Sequence, residues 1–445
     1  MPRGRWWAVS APSTKRDAEL QRAIKEFGLE GRRLYLAQMP YGGSYLLAAA
    51  IRSLGFDAWP TSNSDERTLE LGGRITSGEE CYPQKITIGD YLRVIEDEGA
   101  DNVAFLMPTA NGPCRFGQYL HLIRAKFQEM GYGDVPVITI SSSDGYSSIG
   151  DYSRDLIRTA WHAVVSQDIL MKMLLKTRPY ETEKGSTDAA YQRALEEVGD
   201  AVSVAGISHK ERLAAIVGAL TAARDRFRDL PARYDRSRPL IGAVGEIFCR
   251  MNTYSNFDII RVVEEAGGEC WLADIGEWIW YTDAEQRRRL TDERRLLSKD
   301  NAVRIIKSKI MRTDEHQLYA PFSDDFVGYE EPSDVREVLE MSFPYLPYTG
   351  SLGEMVLSSG KAVYLYGKGA DGIIDISPFS CMNGIVTEAV YPRLQKDLDN
   401  MPIRTFYFDG TQGDLERDVG IFLELANTYR RRKTKVRKYP AYFPA

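Results

Sequence analysis

Five cysteines, Cys81, Cys114, Cys249, Cys270 and Cys381, are the side chains of this sequence best suited to redox or metal chemistry. Three of them share a setting. Cys381 lies in Ser377-Pro378-Phe379-Ser380-Cys381-Met382-Asn383-Gly384, after an apolar run Gly372–Ile376 that reads as a buried parallel strand and before an amphipathic run Ile385–Leu398 that reads as a helix. Cys114 follows the strand Asn102–Met107 and opens the helix Phe116–Met130, and Cys81 opens the helix Ile86–Glu98. Free backbone N–H groups and the helix dipole favour a thiolate at such positions. Three thiolates on three helix starts converging at the carboxyl ends of a parallel sheet would make a three-cysteine iron–sulfur site. One iron would then lack a protein thiolate, a coordination position left open in the way that separates catalytic from structural zinc. Zinc is the competing metal, and ordinary buried thiols are the structural alternative.

The other candidates are weaker. Cys249, at the end of a predicted strand Ile241–Phe248, is either a further ligand, a neighbour of the cluster or a packed thiol. Cys270 sits in the apolar segment Glu269–Leu272 and reads as core. Glu246 is a carboxylate beside the predicted site that would do proton work with a raised pKa, against a capping or salt-bridge role. Glu79 and Glu80 carry the same pair of readings. His121, His162, His209 and His316 have no metal-ligand spacing and read as surface or helix-face residues. Gly367-Lys368-Gly369-Ala370-Asp371-Gly372 matches a dinucleotide fingerprint in letters, but it precedes a strand and so reads as a turn. Gly242-Ala243-Val244-Gly245 lacks the third glycine. The tail Arg430–Lys438 holds seven positive residues and reads as a solvated helix end or a dock for an acidic or phosphate-bearing partner.

The elements that position these residues alternate between strand and helix at both ends of the chain. A run of 445 residues exceeds one core, so two or three domains are expected. The expectation is an α/β protein with two Rossmann-like parallel-sheet domains joined by a helical section. Residues 1–32 form an N-terminal extension, 33–148 a first α/β domain, 149–238 the helical section, 239–430 a second α/β domain, and 431–445 a basic tail. Strands are expected at Arg33–Gln38, Phe56–Pro60, Asn102–Met107, Val135–Ser141, Pro239–Phe248, Glu269–Ala273, Gly372–Ile376 and Ile403–Tyr407. Asp283–Ser308 reads as one basic helix and Asp334–Met341 as a helix capped by Ser333. Cys81 and Cys114 then come from the first sheet and Cys381 from the second, which places the site between domains.

With 57 basic and 63 acidic residues, the net charge of −6 gives no sign of a dedicated nucleic-acid binder. No apolar run has the length to span a bilayer, no secretory signal is evident, and the odd cysteine count fits reduced thiols, so the cytoplasm is expected.

Gly78-Glu79-Glu80-Cys81-Tyr82-Pro83-Gln84-Lys85, Pro113-Cys114, Gly245-Glu246-Ile247-Phe248 with Asn252 and Asn256, and Pro378-Phe379-Ser380-Cys381-Met382 together resemble the 2-hydroxyacyl-CoA dehydratase and benzoyl-CoA reductase superfamily. They are most similar to the dehydratase-like portion of activase-related proteins, over about Arg33 to Ala426. The resemblance implies a 4Fe–4S cluster held by Cys81, Cys114 and Cys381. It also implies a separate ATP-hydrolysing activator, or reductase, that delivers one low-potential electron to reduce or dehydrate a small-molecule or acyl-CoA substrate. The activity would be that of a lyase or oxidoreductase in a homo- or hetero-oligomer. Five cysteines are few for a double cubane within one chain. A non-catalytic electron-transfer or assembly component of a larger redox complex is the alternative of a different class, and the scarcity of recognisable acid–base residues near the cysteines favours it.

Overall fold

Two four-stranded parallel sheets form the frame of the chain in a computed structural model that describes residues 15–110, 112–139, 153–351, 353–411 and 413–444. The first sheet comprises β1 (Arg33–Leu36), β2 (Ala58–Pro60), β3 (Val103–Leu106) and β4 (Val137–Ile138), in the order β2-β1-β3-β4. The second comprises β5 (Leu240–Gly245), β6 (Glu269–Leu272), β7 (Gly372–Pro378) and β8 (Ile403–Phe408), in the order β6-β5-β7-β8. Every residue of β3, β5, β6 and β7 is buried. That is the consequence of helices covering both faces, and it explains why these strands read as unbroken apolar runs. The expected α/β class and the two Rossmann-like sheets are therefore observed. The predicted strand end at Ser141 and the first residues of the N-terminal extension lie outside the described residues.

Both sheets reverse strand order once. In the first the reversal lies between β1 and β3, and in the second between β5 and β7, whose register pairs Ile241 with Gly372 and Gly245 with Ile376. A crevice opens at the carboxyl ends of the strands at such a point. Here the loops beyond the two switch points meet. Asn252, just beyond β5, donates through Nδ2 to the Gln38 carbonyl beyond β1 (3.4 Å) and to Ser64 Oγ (3.1 Å). Asn256 ties the intervening loop down by donating to the carbonyls of Cys249 (2.8 Å) and Arg250 (3.1 Å).

Several boundaries differ from expectation. The strand predicted to reach Phe248 stops at Gly245, where φ is +119° and an added Cβ would stand 2.2 Å from the Ile376 carbonyl oxygen. Only glycine fits there, and the chain then turns into a short helix, Ile247–Met251, that contains Cys249. The single basic helix expected over Asp283–Ser308 is two helices, Ile275–Asp292 and Lys299–Tyr319, broken by a turn with Arg294 at φ +57° and capped anew by Ser298. The helix near residue 335 is capped by Asp334, not Ser333, because the Asp334 carboxylate reaches the Arg336 N–H (3.0 Å). A helix at Glu66–Ile75, with a capping box of Asp65 and Thr68, occupies what read as a polar segment. The basic tail is partly spent internally: Lys433 pairs with Asp371 at 2.6 Å, and Arg437 is buried against Glu269 at 2.6 Å.

The long helix Ser153–Thr177 joins the two sheets through a common core containing Leu46, Trp161, Ile169, Val244 and Ile373. Its polar anchor is Asp314 on the helix Lys299–Tyr319. Arg158 binds that carboxylate through Nε (2.7 Å) and Nη2 (2.9 Å), and the fully buried His162 meets it through Nε2 (2.8 Å). Thus His162 is a buried structural partner and not a surface residue. Burial opposes ionisation of Asp314, but His162 and Arg158 outweigh it and hold the carboxyl at about 2. A carboxyl depressed on folding lends stability that is complete above its unfolded value near 4 and fades as pH falls through the folded value. Asp314→Asn should therefore cost about 1–3 kcal/mol at pH 7. In urea denaturation the gap between wild type and variant should narrow progressively as pH is lowered from about 4 toward 2. A gap that is constant with pH would contradict this assignment.

Candidate functional site

Cys81, Cys114 and Cys381 each occupy the residue immediately before a helical segment, with extended backbone angles (ψ 132°, 132° and 129°). Cys81 precedes the helix Tyr82–Glu98, with Pro83 in its first turn, where the missing N–H costs nothing. Cys114 precedes a short 3-10 turn, Arg115–Gln118, that leads into the helix Tyr119–Glu129, so its helix starts later than the sequence suggests. Cys381 precedes the helix Met382–Asp397, which begins three residues earlier than expected. Ser380 supplies the sharp turn out of β7 at φ +62°. Gly384 lets the new helix lie against that strand: an added Cβ would stand 2.7 Å from Ser377 Cβ and Oγ.

One side chain ties the three loops together. Arg115, next to Cys114, donates through Nη1 to the Glu79 carbonyl (3.0 Å), two residues before Cys81. Through Nη2 it donates to the Ser380 carbonyl and Oγ (both 3.2 Å), one residue before Cys381. Segments 35 and 266 residues away from Cys114 thus meet around a single guanidinium. Glu80 closes its own loop by accepting from the N–H groups of Ser77 (2.8 Å) and Gly78 (3.1 Å), a local capping role.

Glu246 lies at the centre of the electrostatics. It caps the short helix by accepting from the N–H groups of Phe248 (3.0 Å) and Cys249 (2.8 Å). Its charge also acts on Cys81, Cys114, Cys381 and Cys249. Capping and proximity to the cysteines hold at once. A second carboxyl, Glu354, was not legible in the sequence. It opens the helix Glu354–Lys368, is buried, and accepts from the Ile247 N–H (2.6 Å) and from Asn383 Nδ2 (3.3 Å). These bonds attach it to the residue after Glu246 and to the first turn of the Cys381 helix. Its only sequence signal is an acidic residue after Gly353 at a helix start, which caps as often as it reacts.

Burial pushes the Glu354 carboxyl well above the usual range, and the neighbouring Glu246 charge adds to it; burial likewise raises Glu246 against the pull of its two N–H donors. The thiols behave differently from expectation. Burial, reinforced by Glu246, pushes Cys81 up to about 12 and raises Cys381 and Cys114 as well. Helix-start N–H groups from Asn383 and Gly384 toward Cys381, and from Phe116 toward Cys114, oppose this without overcoming it. The Tyr119 hydroxyl gives Cys81 similar, insufficient help. Desolvation beats the helix dipole, so without a cation these groups are thiols. Among the described residues, no three His, Cys, Asp or Glu side chains gather tightly enough to hold a single metal ion.

Cys249 is fully buried, and its thiol is raised by that burial and by the charges of Glu246, Cys381 and Cys81, which places it close behind the other cysteines. Cys270, buried in β6, feels Glu264, Arg178 and Glu269 but none of the crevice groups, in keeping with a core residue. Gly369, in the turn before β7, has φ +89° and ends a helix, so that glycine-rich stretch is a turn with no phosphate-cradling geometry.

The architecture and these contacts together define an α/β protein in which helix-start cysteines and buried carboxyls meet beyond two sheet switch points. Neither a protein-family model nor a curated protein matches the chain.

Arg115 is exposed and its removal should cost little stability, within about 1 kcal/mol. Arg115→Met should nonetheless release the three loops. Alkylation of Cys381 by a thiol reagent, followed by peptide mass spectrometry, should then run several-fold faster than in the wild type. Equal rates would show that the guanidinium is incidental.

Proposed function

We propose that this chain is an iron–sulfur protein of the 2-hydroxyacyl-CoA dehydratase type, with a 4Fe–4S cluster held by Cys81, Cys114 and Cys381. The observation that carries this reading is the meeting of three distant helix-start cysteines around Arg115 and Glu246. The donor set fits the group: in a cubane each thiolate binds a different iron, so the sulfurs need to surround the cofactor without crowding one point, and three thiolates leave one iron free. Metal binding also supplies the charge that the raised thiols lack, because a coordinated thiol is deprotonated.

When bound, such a cluster supplies one low-potential electron, received from a separate ATP-hydrolysing activator, and an iron with an open position for a small-molecule or acyl-CoA substrate. The chain's own groups perform the remaining tasks. Backbone N–H groups of Phe116, Asn383 and Gly384 face the sulfurs and offset their negative charge. Glu354, kept protonated by burial beside Glu246, holds a proton within the crevice. That carboxyl pair supports a lyase or oxidoreductase over a pure electron relay, since a relay has no use for a proton store beside its cofactor. Cys114 is exposed, and Phe379, Met382 and Ile385 form an exposed apolar rim beside Cys381, a surface suited to the activator or to an oligomeric partner. No helix among the described residues is long and apolar enough to cross a membrane. The five free cysteines support a reducing compartment, the cytoplasm.

Protein purified without oxygen should be brown and carry about four irons with matching sulfide per chain. Cys381→Ser should abolish or sharply reduce iron, whereas Cys270→Ser should retain it. Colourless, iron-free wild-type material would sink the reading. An acyl-CoA that alters the paramagnetic resonance spectrum of the reduced protein would distinguish the catalytic form from the relay, which predicts no response.

A further inference from the structure

We infer that the helix Lys299–Tyr319 is one half of a helix–helix joint, and that its other half is an acidic amphipathic helix of a partner protein. Over its first three turns this helix is patterned inside out. Its inward side is polar. Asn301 is buried and donates through Nδ2 to the Leu296 carbonyl (2.7 Å), Arg304 pairs with Asp283 of the helix Ile275–Asp292 (2.7 Å), and Ser308 donates to the same carboxylate (2.7 Å). Its outward side is apolar: Val303 is 65% exposed, Ile306 62% and Ile310 38%. A solvated helix shows the reverse order, so the outward side is shaped for something that covers it.

The shape of the outward side selects a helix. Val303, Ile306 and Ile310 recur at three- and four-residue intervals, the spacing of a coiled-coil seam. All three are β-branched, the stiff knobs that a facing helix takes into its holes. The seam runs about 10 Å along the helix, and Leu297, fully exposed in the turn before it, extends the apolar surface. No aromatic side chain stands between Leu296 and Ile310, unlike the apolar face of a helix that lies in a lipid interface.

Charge fixes the sign of the partner. From Arg287 to Arg312 the chain carries ten basic residues against three acidic ones, in a protein of net charge −6. Those three acids are already engaged: Arg288 binds Asp292 (3.3 Å), and Arg295 binds Glu293 (2.9 Å) and Asp300 (2.5 Å). Lys307 and Lys309 stand on either side of the seam and Lys299 at its start, where a facing helix presents its own flanking residues. Two copies of this chain laid seam to seam would set those lysines against one another, whereas glutamates on a foreign helix would pair with them. The joint needs no cluster and stands apart from the proposed cofactor.

Fluorescence anisotropy with the full chain checks it. The probe is a labelled peptide of about three heptads with Ile and Leu along its seam and Glu on both flanks. It should bind saturably, and about tenfold or more tightly than the same peptide with Lys in place of Glu; its affinity should fall several-fold between about 50 and 300 mM NaCl. Ile306→Asp should weaken binding about tenfold or more, while Ile421→Asp, a change at a comparably exposed isoleucine on the helix Leu415–Arg430, should leave it unchanged. Should Ile306→Asp fail to fold, the double change Lys307→Glu and Lys309→Glu gives an independent reading, because it should turn the preference toward the Lys peptide. No saturable binding up to about 0.5 mM peptide, equal affinity for both peptides, or full affinity in Ile306→Asp would overturn the joint. A concentration-dependent dimer in sedimentation velocity that Ile306→Asp abolishes would overturn it in favour of a second copy. Sedimentation with phosphatidylserine-containing vesicles, lost in Ile306→Asp, would overturn it in favour of a lipid surface. Iron-free protein that still binds the Glu peptide would leave the joint standing while the cofactor assignment fell.

Discussion

Ionised groups of like sign cannot share a dry crevice unless something of opposite sign sits among them. The meeting place of the two sheets holds Glu246, Glu354 and four cysteines, with Arg115 bridging the loops outside and the Arg250 charge acting on both carboxyls. Burial answers this constraint by raising the carboxyls and the thiols together above their ordinary values. Raised carboxyls and raised thiols are two faces of the same desolvation. The N–H groups of the helix starts add a modest, fixed positive field that does not by itself create thiolates.

How far the site could be read from the chain depends on where its physics lies. The cysteine settings were legible because a helix start after a buried strand leaves a local signature: Gly372–Pro378 is apolar throughout, and the helix after Cys381 has Gly384 to pack on Ser377. Buried parallel strands reveal themselves in the same way, which is why the two sheets were readable and their ends were not. The Gly245 turn ended β5 early for a reason found on another strand, the Ile376 carbonyl. Glu354 was invisible for a related cause. Its significance lies in what stands opposite it, Glu246, 108 residues away in the chain. The helix dipole was given too much weight because burial depth cannot be read from helix position.

The second sheet also explains why Glu354 stays where it is. Its helix is pinned two turns farther along by Lys361, whose fully buried ammonium binds Glu277 and Glu331. Glu331 shares its other oxygen with Lys172 from the long helix Ser153–Thr177 and with Trp271 of β6. The pairing of Lys172 and Lys361 holds Glu331 near 2 despite burial. Such a network is a poor source of net stability, since both charges lose their water, but it admits only one register of the helices it joins. A slip of one residue along the helix Glu354–Lys368 would strand an ammonium in the core and carry Glu354 out of reach of Ile247 and Asn383. The charge network thus acts on the cysteines indirectly: it sets the helix start at which Glu354 reaches Ile247 and Asn383.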